Sequence, residues 1–229
     1  MPPQTNQPNQ PNNPNLPNNP APSTSVGGTA YFSTNGAAPF TEASISGDKN
    51  SVIKVNGHEI TVSRPNIQAG SFSIINSGNV HTITSGSKLS YVRFGSQANM
   101  PNANHYVFAI GDQTAPAQVP TSGKASYSGL GVLKAGDSSP FVTGTSNFDV
   151  DFGNKTVSGT MSEERSGNSV SLAGQINGNA FSGTQDGVTM RGNFYGPQAS
   201  ELGGVFQGKT TINNNRDTSV MGSFGASKQ

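Results

Sequence analysis

The chain has 229 residues and a net charge of +1, with 11% charged and 31% hydrophobic residues, 29 Gly, 15 Pro and no Cys. Globular chains ordinarily carry about 25% charged and about 45–50% apolar residues, so this composition excludes a coiled coil and a Leu-rich helical bundle, and no run approaches the ~18 apolar residues of a membrane-spanning helix. The absence of Cys excludes disulfide scaffolds, Cys-ligated zinc, iron–sulfur clusters and thiol catalysis, and the absence of a dense Lys/Arg cluster argues against nucleic acid as a partner.

Enrichment in Ser, Thr, Asn and Gly suits an extracellular or surface-exposed bacterial β-protein. The sequence opens without an apolar leader, which leaves a cytosolic chain or one whose signal has been removed. Residues 1–25 alternate Pro and Asn around one large apolar residue, Leu16, and cannot bury enough surface to offset the entropy of ordering. They read as a disordered, partly polyproline-II tether.

From Val26 onward, short β-branched and aromatic runs alternate with Gly and Asn, and no helical period is sustained. Strands are predicted at Gly28–Ser33, Ser51–Val55, His58–Ser63, Ser71–Asn76, Val80–Thr84, Ser87–Phe94 and Tyr106–Gly111. Asn56-Gly57 joins the second and third of these as a hairpin turn, since both turn positions require positive φ. Gly95–His105 is predicted as a polar loop holding Met100 and His105, longer than a tight turn needs.

A boundary is placed near residue 118, after a Pro/Ala/Gln crossover. Beyond it the rhythm is regular: Lys124–Leu133, Thr145–Phe152, Thr156–Glu163, Ser169–Ile176, Ala180–Thr184, Gly187–Phe194, Glu201–Gln207 and Ser219–Phe224. In Phe148-Asp149-Val150-Asp151-Phe152 the apolar side chains share one face and both Asp the other. Eight antiparallel strands with short turns close a small barrel filled by its own side chains. The expected fold is all-β: a small N-terminal handle-like domain over 26–118, followed by an eight-stranded antiparallel barrel over 119–229.

Three stretches carry a resemblance. They are Tyr91-Val92-Arg93-Phe94-Gly95 with Tyr106-Val107-Phe108-Ala109-Ile110-Gly111; Val119-Pro120-Thr121-Ser122-Gly123-Lys124-Ala125-Ser126-Tyr127; and Arg191-Gly192-Asn193-Phe194-Tyr195-Gly196-Pro197 with Glu201-Leu202-Gly203-Gly204, closing in Gly222-Ser223-Phe224-Gly225-Ala226. Together they resemble the surface lipoproteins and hemophores exported by the Slam translocon, a group with transferrin-binding-protein-B-like barrels that includes hemophilin. The resemblance implies an outer-membrane lipoprotein facing outward, or a secreted protein, with a Slam-type translocon and a TonB-dependent receptor as partners. It assigns Phe194, Tyr195, Gly196, Pro197, Glu201, Gly203 and Gly204 to folding and export. Members bind different things through variable loops on one scaffold, so the resemblance implies architecture and not ligand.

The three histidines, His58, His81 and His105, all fall in the N-terminal domain. They are the good nitrogen donors for iron, and in hemophilin-like proteins that domain holds haem with a His on the metal. A haem site needs an axial ligand, an apolar slot and cationic groups near the propionates. His105, placed at the mouth of the long loop beside Tyr106 and near Met100, is the first choice for the iron. His58 is expected exposed at a hairpin tip and His81 in mid-strand. Tyr31, Tyr91, Phe32, Phe40 and Phe72 are slot candidates, and Arg64, Lys88 and Arg93 are propionate candidates.

No Gly-x-Ser-x-Gly, His-Glu-x-x-His, phosphate loop or dinucleotide fingerprint is present, and an enzyme is not expected. The leading expectation is haem capture for nutrient acquisition. The alternatives are a surface receptor for a host protein of the haemoglobin, transferrin or factor H kind, and a factor for colonisation or adhesion.

Overall fold

The computed structural model describes residues 25–34, 36, 38–63, 71–99, 104–137, 139–212 and 215–229. The expected tether therefore lies outside the described residues, apart from Ser25. Nine strands precede residue 118: β1 (Ser25–Ser33), β2 (Thr41–Glu42), β3 (Ile45–Gly47), β4 (Val52–Val55), β5 (His58–Thr61), β6 (Phe72–Ser77), β7 (Val80–Ser85), β8 (Val92–Asn99) and β9 (Asn104–Gln113). They form an antiparallel sheet in the order β6-β7-β8-β9-β1-β2, and a smaller three-stranded sheet, β3-β4-β5.

The run Tyr106-Val107-Phe108-Ala109-Ile110 in β9 is apolar at every position because both of its faces are buried. Tyr106, Phe108 and Ile110 meet Ile53, Val55, Ile60 and Val62 of the small sheet. Val107 and Ala109 point the other way, with Val92 and Phe94, toward Tyr195, Val205 and Met221. The predicted hairpin is present: Asn56 and Gly57 have φ of 50° and 80°, and Val55 pairs with His58.

Two expectations are corrected. Ser87–Ser90 is not strand, and β8 begins at Val92. The Arg93 guanidinium donates to the carbonyls of Gly86 and Leu89, curling that segment, while the amides of 90–92 are taken by a distant carboxylate described below. The predicted loop Gly95–His105 is mostly strand, because Gly95–Asn99 pairs with Asn104–Phe108. The short strands β2 and β3 carry too few residues for an alternating pattern and were not predicted.

The remaining strands are β10 (Lys124–Ala135), β11 (Val142–Asp151), β12 (Thr156–Glu163), β13 (Ser169–Asn177), β14 (Ala180–Gln185), β15 (Val188–Tyr195), β16 (Glu201–Ile212) and β17 (Asn215–Lys228). Each pairs antiparallel with the next and β17 pairs with β10, so the eight close as a barrel. All eight predicted strands are found, several longer by a few residues. Phe148, Phe181, Phe194, Phe206 and Phe224 fill the interior, and Asp149 faces out, as the alternation predicts.

Candidate functional site

Register sorts the three histidines. Directly paired residues of neighbouring strands share a face, and in β9 His105 and Tyr106 must point to opposite sides. The pairing His105 to Ala98 to His81 to Asn76 puts His105 and His81 in one row on the barrel-facing side of the sheet. Tyr106 lies on the other side, and there the β4–β5 hairpin lays the His58 ring flat on it, with centroids 4.7 Å apart and planes 11° apart. The fold therefore brings His58 to Tyr106 and separates both from His105.

His105 is the second residue of β9 and is buried, 7% exposed. Lys134 of β10, 2% exposed, directs its ammonium at the Gly36 carbonyl (2.7 Å), the Asp137 carbonyl (2.7 Å) and His105 Nδ1 (3.1 Å). Phe141 meets the His105 ring edge-on. Burial first, and the Lys134 charge second, hold the His105 pKa down to about 4, so the ring is neutral at pH 7 and its Nδ1 accepts from lysine. Burial likewise lowers the Lys134 pKa, with the Asp137 charge opposing.

His58 is also not an exposed tip. Its Nε2 lies 2.5 Å from Gln97 Oε1 and donates to that carbonyl, and Gln97 Nε2 donates to Thr82 at 2.9 Å. His81 is half-buried, with Nδ1 donating to Asn76 Oδ1. That bond fixes its tautomer and leaves the Nε2 lone pair, with no partner among the described residues, the arrangement found in metal-bound histidines. Among the described residues, no three His, Asp or Glu come together as a metal site. Met100 and Arg64 lie outside the described residues.

Of the other candidates, Arg93, Tyr31, Phe40, Phe72 and Tyr91 are engaged at the seam between the N-terminal sheet and the barrel. Arg93 holds the two carbonyls named above, and burial lowers its pKa against the opposing Glu201 charge. Tyr31 and Phe40 are buried in the seam core, and Phe72 packs edge-on to Phe94. Phe32 tilts onto Tyr106. Lys88 is exposed. Tyr91 lies on the turn after β15: a Cβ on Gly196, whose φ is +71°, would sit 2.4 Å from the Tyr91 ring.

The signature residues build this seam. Glu201, 6% exposed, accepts the amides of Ser90 (2.7 Å), Tyr91 (2.9 Å) and Val92 (3.1 Å). Burial raises its pKa while those amides oppose the rise. Gly203 and Gly225 are cross-strand partners. With no side chains there, the barrel wall accepts Val92 over Gly203, and Phe94 and Leu89 over Gly225. Tyr195 is fully buried in the seam, Phe194 sits in the barrel interior, and Gly204 lies close under the Phe224 ring. Pro197 opens the short 3-10 turn whose Ala199 carbonyl accepts the Tyr127 hydroxyl at 2.6 Å. Ser223 and Tyr195 also donate to N-terminal carbonyls, of Gly95 (2.9 Å) and Ala109 (3.5 Å). Sequence reading found these residues through the motif but not their partners, which lie about a hundred positions away in the chain.

Residues 119–228 match the family described as the C-lobe and N-lobe β-barrels of transferrin-binding protein B. Transferrin-binding protein B of Haemophilus influenzae is 32% identical over 193 residues, covering 62% of this chain and 31% of its own length. The protein of that name from Moraxella catarrhalis is 30% identical over 189 residues, covering 66% of this chain and 25% of its own. The solved structure of intact Ap-TbpB, with N and C lobes, superposes with a TM-score of 0.65 at 26% identity over 89% of this chain and 46% of that one.

The fold is thus an N-terminal β-sheet domain docked on a closed eight-stranded barrel. The barrel is similar, over residues 119–228, to the β-barrels of the transferrin-binding protein B lobes. The chain spans about a quarter to a third of the length of these curated relatives. Those relatives are named as binding proteins, and among the described residues no helix is long and apolar enough to cross a membrane.

Proposed function

We propose that this protein acts in iron acquisition as a surface-displayed receptor for a host iron- or haem-carrying protein, contacted through the N-terminal domain. The observation that carries the reading is the match of 89% of the chain to 46% of a transferrin-binding protein B structure at a TM-score of 0.65. The tether of residues 1–25, export by a Slam-type translocon and hand-over to a TonB-dependent receptor belong to the same proposal. The full chain is immobilised and exposed in turn to purified transferrin, purified haemoglobin and whole serum. Saturable retention of an iron or haem carrier supports the receptor; retention of none from any source overturns it.

A second reading, haem capture, is favoured by His81, whose fixed tautomer presents Nε2. On this reading His81, and not His105, is the iron ligand, because the His105 Nδ1 is already occupied by Lys134. A haemin titration should give a Soret band that His81→Ala weakens and His105→Ala leaves in place. A featureless titration of the unaltered chain sinks this reading.

A further inference from the structure

An open sheet has two edges, and exposed edges invite pairing unless they are short, charged, bulged or covered. Most edges here are blunted. β2 has two residues, one of them Glu42 in an ion pair with Arg191. β3 has three residues, and β5 carries Glu59 paired with Lys54. β6 is different. It ends the sheet path, pairs with β7 alone among the described residues, and runs Phe-Ser-Ile-Ile-Asn-Ser in unbroken register with no charge and no proline. Ile74 at its centre is 55% exposed.

We propose that the β6 edge is a contact between two copies of this chain, joined antiparallel about a two-fold axis through Ile74. The partner must offer an extended strand, since backbone N–H and C=O groups satisfy a ladder only in that form. The alternation selects the register. Phe72, Ile74 and Asn76 share one face and Ser73, Ile75 and Ser77 the other, so continuous faces require each residue to meet one of its own set. Centring on Ile74 sets Ile74 against Ile74, Phe72 against Asn76 and Ser73 against Ile75. Centring on Ile75 would instead leave Ile74 facing Asn76. Two uncharged edges meet without repulsion, and a net charge of +1 does not hold the copies apart. The contact is small, so the dimer is weak, and anchoring on one surface would raise its occupancy by effective concentration. This inference is independent of the ligand.

Sedimentation velocity on the full chain, from about 10 µM to about 1 mM to suit a contact below standard interface size, should show a concentration-dependent dimer. Ile74→Lys should abolish it, since two like charges would face each other across the axis. The natural chain has no Cys, so single-Cys variants report the register directly. Under mild oxidation Ile74→Cys should cross-link, whereas Ile75→Cys, diagonal to itself and beyond the ~7 Å disulfide limit, and Ser158→Cys on the barrel should not. A monomer at every concentration, a dimer that Ile74→Lys does not weaken, or equal cross-linking by all three variants overturns the proposal. A monomer that nevertheless pairs with an extended segment of another protein overturns it equally.

Discussion

The barrel closes through β17 and β10, leaves no edge and fills its interior with its own side chains. The N-terminal sheet stays open, ends on β6, and has one face completed by barrel side chains. Dependence therefore runs one way: the sheet needs the barrel wall, whereas the barrel core contains no N-terminal residue. Polar bonds, by contrast, cross the seam both ways, since Thr114 donates to the Gly196 carbonyl at 2.6 Å and Thr29 to that of Arg191. Barrel Glu201, Lys134, Ser223 and Tyr195 all bond main-chain groups of the N-terminal domain. Those four bonds reach main-chain groups, while the Val92, Phe94 and Leu89 side chains supply the apolar part of the docking over Gly203 and Gly225.

The largest effect should come from Phe194→Ala. Its ring meets Tyr127, Phe152 and Phe181 in the barrel interior, and its loss should cost about 3–5 kcal/mol. A denaturant titration should show the whole chain destabilised; a loss confined to the N-terminal sheet would break the one-way dependence.

Next, Glu201→Leu leaves three seam amides without their acceptor and should cost about 3 kcal/mol. Hydrogen exchange should speed at Tyr91 and Val92 while barrel amides keep their protection. Equal loss in both regions would contradict the comparison.

Acid should act on the seam through His105. Its folded pKa is held down to about 4, below the ordinary ~6.5, so the unfolded chain takes up the proton first. The contribution is complete above pH 6.5, is lost as pH falls from 6.5 to 4, and amounts to up to about 3 kcal/mol. Melting across that range should show the slope in the natural chain and a flatter profile in His105→Gln; parallel profiles would remove His105 as the cause.

The smallest change should follow Gly225→Ala. The new methyl would stand 2.6 Å from the Phe94 ring and 2.8 Å from Leu89, an overpacking of about 1–2 kcal/mol. Near-ultraviolet circular dichroism and melting should show a loosened seam over an intact barrel, and an unchanged melt would show that the sheet rides elsewhere on the wall.

Much of this was legible from residues alone. Alternation in Phe148–Phe152 located a strand and its outward Asp, and Asn56-Gly57 fixed a hairpin, because both depend on neighbours a few positions apart. The start of β8 was not legible. Residues 87–91 have strand-like composition, but their amides are claimed by Glu201, 111 positions from Ser90. The histidines divide the same way. Period-two geometry already separates His105 from Tyr106, yet no local pattern reveals that the His105 side is covered by Lys134 and Phe141, or that His58 lies flat on Tyr106.

What the sequence by itself determined is the eight barrel strands, the Asn56-Gly57 hairpin and the closed barrel, since side-chain period and turn chemistry act over short stretches of chain. The tertiary structure decided which face of each strand is covered, which partner each histidine engages and why the glycine and glutamate signature exists. Those outcomes depend on desolvation and on backbone groups meeting across the seam, and both arise only when residues a hundred positions apart are brought together.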